Sequence, residues 1–155
     1  RSLNPLDIIS LPTIEDLYVI ITHPLVELKT KDSRQIINEQ ISLEKAIQQW
    51  GNLGGFVASL YTQNYELLSK SIEDVIIEPQ RLKLIPNFRE IVDAASKYSL
   101  GSGISGAGPS IFSICKGKKN AELAMDTIRK ITDEKSLEYN LILSGINKDG
   151  IKIIN

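Results

Sequence analysis

The glycine-rich segment at residues 101–110, GSGISGAGPS, constrains the fold of this 155-residue chain more than any other feature. It contains four glycines and a proline, and the residues after it, SIFSIC, follow the pattern of a β-strand. Glycine adopts the positive φ angles that tight connections need. We therefore predict a short connection between two strands that pair antiparallel, because parallel neighbours require a long crossover.

The first six residues of this segment also spell G-x-G-x-x-G, the pattern of dinucleotide-binding loops. That use requires a helix directly after the loop, whose N-terminus receives a pyrophosphate. Here Pro109 and a strand follow, and the next helix is predicted to begin near Lys119. The pattern therefore does not indicate a dinucleotide site. A plain turn and an anion-binding concavity lined by backbone N–H groups both fit the four glycines at this point.

The rest of the chain alternates between strand and helix patterns. Buried or half-buried strands are predicted at residues 17–24 and 138–146, with a last short strand at 151–154. Helices are predicted after the capping residues Thr30, Ser42 and Asn64, near Pro86, and from about Lys119. This order predicts an α+β fold, a ferredoxin-like split βαβ antiparallel sheet with extra helices packed on one face.

The helix after Ser42 carries apolar and small residues at helical spacing, which predicts one buried face. Those residues are Leu43, Ala46, Ile47, Trp50, Leu53, Gly54, Val57, Ala58 and Tyr61. Glycines at 51, 54 and 55 each cost an exposed helix about 1 kcal/mol relative to alanine. We therefore expect another part of the backbone to pack closely against them.

Composition narrows the classes of function. The net charge of −1 gives no drive toward nucleic acid or an anionic membrane, and no apolar run is long enough to span a bilayer. The single cysteine, Cys115, rules out an internal disulfide and fits a reducing compartment such as the cytoplasm. With one histidine, His23, a zinc site is not expected. We interpret both residues as structural and expect no metal site within the chain.

Three segments together resemble the homoserine kinase branch of the GHMP small-molecule kinases. GSGISGAGPSIFSIC resembles the family's glycine-rich motif, and VELKTKDSRQIIN resembles its V-x-T-x-x-A-R segment. IEDVIIEPQRLKLIPNFRE resembles its D-x-x-x-E-P-x-R-x-x-L-I-P-G-F segment. All three occur in the family's order. The chain departs from the pattern at Ser33, where alanine is usual, and at Asn87, where glycine is usual.

The resemblance covers only the family's C-terminal half, so residues 1–155 would form a GHMP kinase C-terminal, substrate-binding domain. The family's ATP-gripping P-x-x-x-G-L-G-S-S-A-A loop, and with it the N-terminal domain, has no counterpart in this chain. By resemblance, the full-length enzyme uses ATP and Mg²⁺ to phosphorylate the side-chain hydroxyl of L-homoserine in threonine biosynthesis. The partners implied are L-homoserine and the missing half, and a homodimer is compatible. The fragment alone is expected to bind no cofactor and to be inactive.

The resemblance also implies roles for particular residues. Arg34 and Arg81 would hold the substrate carboxylate, with Thr30 close by, since a guanidinium can bind a carboxylate in bidentate fashion. A loop beside the substrate and the terminal phosphate would comprise Gly103, Ser105, Gly106, Ala107 and Gly108. From spacing alone, an ordinary surface residue is the commoner interpretation of each arginine, and a helix cap that of Thr30. No residue is indicated as a general base.

Two alternative functions stay open on the sequence. The chain is also compatible with another GHMP kinase that acts on a different small alcohol, because the glycine loop is shared across that superfamily. A second alternative is a non-catalytic, ferredoxin-like module that binds an amino acid.

Overall fold

The computed structural model describes residues 2–26, 28, 35–136 and 138–149. Thr30 and Arg34 lie outside the described residues, as do residues 31–34 of the helix predicted after Thr30 and the strand predicted at 151–154. The predictions made for them stay predictions.

Four long strands form one antiparallel sheet, and two short strands near the N-terminus form a separate hairpin. The strands are β1 (Ser2–Leu3), β2 (Leu6–Asp7), β3 (Leu17–Pro24), β4 (Gly101–Ile104), β5 (Ile111–Lys116) and β6 (Tyr139–Gly145). The sheet order is β4-β5-β3-β6, and each neighbouring pair is antiparallel. This order confirms the mixed fold and the split βαβ arrangement predicted from the sequence.

Five helices surround the sheet in the described part of the chain. They are α1 (Leu43–Thr62), α2 (Tyr65–Ser71), α3 (Glu78–Arg81), α4 (Phe88–Ser96) and α5 (Lys118–Glu134), with a 3₁₀ turn at Leu82–Leu84. The predicted caps of α1 and α2 are confirmed: Ser42 Oγ accepts from Lys45 N at 3.3 Å, and Asn64 Oδ1 accepts from Leu67 N at 2.9 Å. Each side chain satisfies an amide that the first helical turn leaves without a partner.

The start of α4 explains one departure from the family pattern. Asn87 is the residue before α4 and has φ of 51°, in the left-handed region. Asparagine tolerates this region better than other non-glycine residues, so it can replace the usual glycine without changing the path of the chain. Pro86 therefore lies before the helix and not in its first turn, because the chain reverses at Asn87 first.

Alternation along the strands divides the buried side chains between the two faces of the sheet. Helices α4 and α5 cover one face, as expected. The buried cluster on that face includes Ile20 and Cys115 from the strands, Ile91 from α4 and Ile128 from α5, each 0% exposed. The other face carries a second cluster, in which Leu17 of β3 packs with residues of α1 and α2. The structure thus adds a partial helical layer on the second face.

The prediction that the apolar stripe of α1 is buried is wrong for most of its members. Of the stripe, Ala46 is buried, but the large side chains are more than half exposed: Leu43, Ile47, Trp50, Leu53 and Tyr61. The face that α1 packs inward instead includes Phe56 and Leu60, which join the second cluster. The helix has apolar residues on two faces, and spacing alone does not say which face meets the sheet.

The three glycines of α1 also differ in whether another residue packs closely against them. At Gly55, a built Cβ would lie 3.4 Å from Ser71 Cβ of α2, so the close neighbour there is a side chain and not the backbone that was expected. At Gly51 and Gly54, no atom of the described residues lies within 4 Å of a built Cβ. The expected close neighbour is absent from these two positions within the described part of the chain.

Candidate functional site

The glycine-rich segment forms a tight turn between β4 and β5, as predicted. Gly108 N donates to Ser105 O at 3.1 Å, and Ser105 N donates to Ser110 O at 2.8 Å. Gly106 and Gly108 have φ of 63° and 81°, conformations that glycine adopts without a Cβ clash. No described atom lies within 4 Å of a Cβ built on Gly106, so the turn presents bare backbone to open space there.

The short helix α3 places the guanidinium group of Arg81 against this turn. Before the helix, Asp74 Oδ1 accepts hydrogen bonds from Ile76 N and Ile77 N, both at 2.8 Å, which fixes the approach of the chain. At the end of α3, Arg81 Nη1 donates to Gly106 O at 3.1 Å. The contact joins two sequence motifs that are 25 residues apart. The structure therefore brings together Arg81 and the glycine turn.

Glu78, at the start of α3, makes a second contact with this segment, at the end of β4 just before the turn. Its Oε2 accepts from Ile104 N, at the end of β4, at 3.1 Å. Burial raises the pKa of the Glu78 carboxyl above its usual range, opposed by the Ile104 hydrogen bond and reinforced by the nearby charges of Asp74 and Glu73. Glu78 is thus held half-buried at the edge of the sheet, where its charged form is less well solvated than in water.

Glu78 and Arg81 are three residues apart in one helical turn, so both side chains can reach the same side of α3. One bonds strand β4 and the other bonds the turn that follows it. The two contacts clamp α3 onto the glycine segment. Between them lies a cavity of about 70 Å³ lined by Ile72, Asp74, Ile77, Glu78, Arg81, Gly103, Ile104, Gly106 and Phe112.

A further polar contact supports the far end of the turn. His23 Nδ1 and Ser110 Oγ are 2.8 Å apart, at the point where β3 ends and β5 begins. Sequence reasoning found no partner for His23, because the two residues are 87 positions apart. The contact ties the turn to β3 and agrees with the structural role predicted for His23.

The predicted site residues divide into three groups in the structure. Arg81, Gly103 and Gly106 line the cavity. Ser105, Ala107 and Gly108 belong to the turn but not to the cavity wall. Thr30 and Arg34 lie outside the described residues.

Sequence reasoning underestimated two carboxylates of the site. The sequence predictions give neither Asp74 nor Glu78 a role in the site. The structure gives Asp74 two backbone amides and Glu78 the Ile104 amide. The Asp-x-x-x-Glu-Pro-x-Arg spacing was the available signal. It places three polar side chains around one short helix.

The described residues contain no group of three or more histidine, cysteine, aspartate or glutamate side chains arranged to hold a metal ion. Nor do they include a helix with the length and apolar character needed to cross a membrane.

The fold and the site together define a class of protein. Residues 56–132, which include α3, the glycine turn and most of α5, match the family described as GHMP kinases C terminal. The chain therefore carries a C-terminal domain of the GHMP kinase family.

Within that class, the chain is similar in sequence to homoserine kinases. The homoserine kinase of Chlorobium phaeovibrioides is 39% identical over 157 residues, which cover 99% of this chain and 49% of that protein. The crystal structure of homoserine kinase from Cytophaga hutchinsonii superposes with a TM-score of 0.94 at 41% identity, again over 99% of this chain and 49% of that one. The chain spans about half the length of these relatives.

More distant structures share the fold alone. The crystal structure of L. major mevalonate kinase in complex with R-mevalonate has a TM-score of 0.63 at 10% identity, over 86% of this chain and 44% of that one.

Proposed function

We propose that this chain is the substrate-binding half of a homoserine kinase, which transfers the γ-phosphoryl group of ATP to the side-chain hydroxyl of L-homoserine. Residues 1–155 would act as one ferredoxin-like domain of a cytoplasmic enzyme of threonine biosynthesis. The observation that carries the proposal is the contact between Arg81 and Gly106, because a guanidinium at the glycine turn has the donors that a carboxylate requires. The similarity to homoserine kinases over 99% of the chain supports the choice of substrate.

Arg81 would bind the carboxylate of the amino-acid substrate. A guanidinium has five N–H donors in a fixed plane, and its bond to Gly106 O orients that plane at the cavity. Glu78 would keep α3 against β4, so that Arg81 is placed before the substrate arrives. Arg34 and Thr30 would complete the carboxylate site.

The glycine turn would receive the reacting end of the substrate and the terminal phosphate. Gly106 fits this role because a side chain there would fill the open space in front of the turn. When bound, ATP with Mg²⁺ would supply the phosphoryl group and neutralise its charge. This half would act by positioning the hydroxyl and excluding water.

The test needs both halves of the enzyme. The preceding half of the Cytophaga hutchinsonii homoserine kinase is fused ahead of Ser2, and we refer to this fusion as the joined protein. Replacing Arg81 by alanine should raise the KM for homoserine about 10- to 100-fold, since a hydrogen bond to a charged group contributes about 1.5–3 kcal/mol. The KM for ATP should change far less. Steady-state kinetics with each substrate varied in turn measure both values.

Arg129→Ala serves as the matched control. Arg129 is half exposed and pairs with Asp126 on α5, on the other face of the sheet. This variant should leave both KM values unchanged. Failure of the joined protein to phosphorylate homoserine, or equal effects of Arg81→Ala on the KM values of homoserine and ATP, would contradict the proposal. Faster turnover with R-mevalonate than with homoserine would instead favour the alternative GHMP kinase.

A further inference from the structure

Helix α1 has an apolar stripe on the side that faces away from the sheet. Gly54 lies in this stripe and points about 160° away from Phe56, which packs inward two residues further along the helix. We call the stripe the outward seam and define it by Leu43, Ile47, Trp50, Gly54, Val57 and Tyr61. Its four largest side chains are 57% to 68% exposed. A monomeric protein rarely leaves a contiguous apolar surface of this kind uncovered.

The spacing of the outward seam is that of a coiled coil. Successive members are separated by four, three, four, three and four residues, the alternation with which one side of a helix meets another helix. The seam runs from Leu43 to Tyr61 and so covers nearly the whole of α1, which ends at Thr62. The pattern therefore indicates a helical partner of about the same length as α1.

The surface around the seam carries no charge. Residues 46–65 contain no aspartate, glutamate, lysine or arginine, although 24% of the whole chain is charged. In a symmetric pair of identical surfaces, a charge near the two-fold axis lies close to the same charge of the other copy, and the two repel. The uncharged segment removes that repulsion. It favours a second copy of the chain over a partner recognised by its charge.

The outward seam is also complementary to itself. When two copies of α1 lie antiparallel about a two-fold axis at the middle of the helix, every member of one seam meets a member of the other. The facing pairs, each of which occurs twice, are Trp50 with Gly54, Ile47 with Val57 and Leu43 with Tyr61.

The pair of Trp50 and Gly54 favours the antiparallel orientation. No described atom lies within 4 Å of a Cβ built on Gly54, so the space in front of it is open to the indole of a second copy. In a parallel pair, Trp50 would face Trp50 and Gly54 would face Gly54, which crowds one layer and leaves a void in the next. The antiparallel pair places the largest side chain of the seam against the residue that has none.

We propose that two copies of the chain associate through their outward seams, antiparallel about a two-fold axis. The helix is about 30 Å long and carries two exposed aromatic side chains, so each copy can bury on the order of 500 Å². The total of about 1,000 Å² is at the lower limit for specific association, which predicts a weak dimer. The proposal is independent of the proposed function, because the seam contains no residue of the candidate site.

The mass of the protein in solution tests the proposal. Light scattering should give twice the mass of one chain at about 100 µM and the mass of a single chain near about 1 µM, as expected for a contact of this area. Trp50 is the only tryptophan in the chain. Its fluorescence should therefore shift to shorter wavelength over the same range, as the indole leaves water. The joined protein should also form a dimer.

Two substitutions distinguish a specific seam from general hydrophobic association. Trp50→Glu should abolish the dimer, because it places a charge in the contact. Gly54→Leu should raise the dissociation constant about 10-fold or more, since the leucine fills the space that receives the indole. Leucine also adds apolar surface and favours the helix, so general association would instead become tighter.

Gln48→Glu is the matched control. Gln48 is exposed on the same helix and lies outside the outward seam. The substitution adds the same charge as Trp50→Glu and should leave the dissociation constant unchanged. Gly54→Leu should not lower the midpoint of thermal unfolding of the dilute chain, because no described atom lies within 4 Å of its built Cβ. Loss of the dimer in this variant is then not a consequence of misfolding.

Four results would overturn the proposal. The first is a chain that stays monomeric at about 100 µM. The second is a Gly54→Leu variant that dimerises as tightly as the wild type, and the third is a Gln48→Glu variant that dissociates as fully as Trp50→Glu. The fourth is a chain that dimerises although the joined protein stays monomeric, since another part of the joined protein would then cover the seam. None of these measurements depends on phosphorylation of homoserine.

Discussion

Gly103 lies so close to the Glu78 carboxylate that a Cβ atom built on it would be 2.9 Å from Glu78 Oε2. The same Cβ would be 2.9 Å from Phe112 Cζ on the neighbouring strand. The φ angle of Gly103 is not in the positive region, so this glycine is needed for space and not for backbone conformation. Its missing side chain lets α3 approach β4 closely enough for Glu78 to reach the Ile104 amide.

Replacing Gly103 by alanine should therefore destabilise the chain by about 1–3 kcal/mol, as in other overpacked sites. The added methyl group displaces the Glu78 carboxylate, and the Ile104 amide loses its partner. Chemical denaturation of the isolated chain measures the loss. Gly51→Ala is the control. It should stabilise α1 by about 1 kcal/mol, because no described atom lies within 4 Å of its built Cβ. If Gly103→Ala left the free energy of unfolding unchanged, the close approach of α3 to β4 would not be needed.

The raised pKa of Glu78 predicts a particular dependence of stability on pH. The native state holds the Glu78 proton more tightly than the unfolded chain, because burial disfavours the charged carboxylate. This group's contribution is fully present below its ordinary pKa of 4.5 and is lost as the pH rises through the higher native value. Glu78→Gln keeps an acceptor for the Ile104 amide and removes this loss.

The difference in the free energy of unfolding, Gln variant minus wild type, should therefore rise between pH 4 and pH 7. It rises because Glu78 loses its proton in the wild type, whereas glutamine does not titrate. Urea denaturation at several pH values measures the difference. In the joined protein, Glu78→Ala should lower kcat/KM for homoserine, since it removes the acceptor of the Ile104 bond that positions α3. A difference that stays constant with pH would mean that Glu78 titrates alike in the native and unfolded states.

At Gly106, the backbone conformation and not crowding should limit substitution. Its φ of 63° is in the left-handed region, which costs most L-residues about 1–2 kcal/mol. The predicted stability order of the isolated chain is Gly106 above Gly106→Asn above Gly106→Ala, because asparagine tolerates this region, as Asn87 does here. Thermal unfolding of the three proteins checks the order. Equal stability of the alanine and asparagine variants would show that the turn relaxes.

Cys115 should react very slowly with thiol reagents while the chain is folded. It is 0% exposed, and burial raises the pKa of its thiol from 9.0 to about 11. At pH 8 this lowers the thiolate fraction about 100-fold, and the thiolate is the reactive form. Labelling with iodoacetamide, followed by mass spectrometry in buffer and in guanidinium chloride, compares the two states. Similar rates in both would place Cys115 at the surface.

Much of the fold follows from local pattern. The strand predicted at residues 17–24 is β3 (Leu17–Pro24), and the caps Ser42 and Asn64 are in place. The helix predicted near Lys119 begins one residue earlier, at Lys118. These predictions hold because strand alternation, capping and turn formation depend on residues a few positions apart.

The errors concern partners that are distant in the chain. The spacing of the apolar residues from Leu43 to Tyr61 predicts a core face. Most of the large residues among them are exposed, because α1 has a second apolar face that packs inward. His23 had no identifiable partner until the fold placed Ser110 beside it.

The sequence by itself determined the strand order along the chain, the glycine turn and the arginine motif, since each is encoded by residues close together. Only the tertiary structure decided that Glu78 bonds the end of β4 and Arg81 bonds the turn after it, and which face of α1 meets the sheet. The physical reason is that hydrogen bonds and burial depend on distances in space. Segments 25 or more residues apart acquire those distances only when the sheet forms.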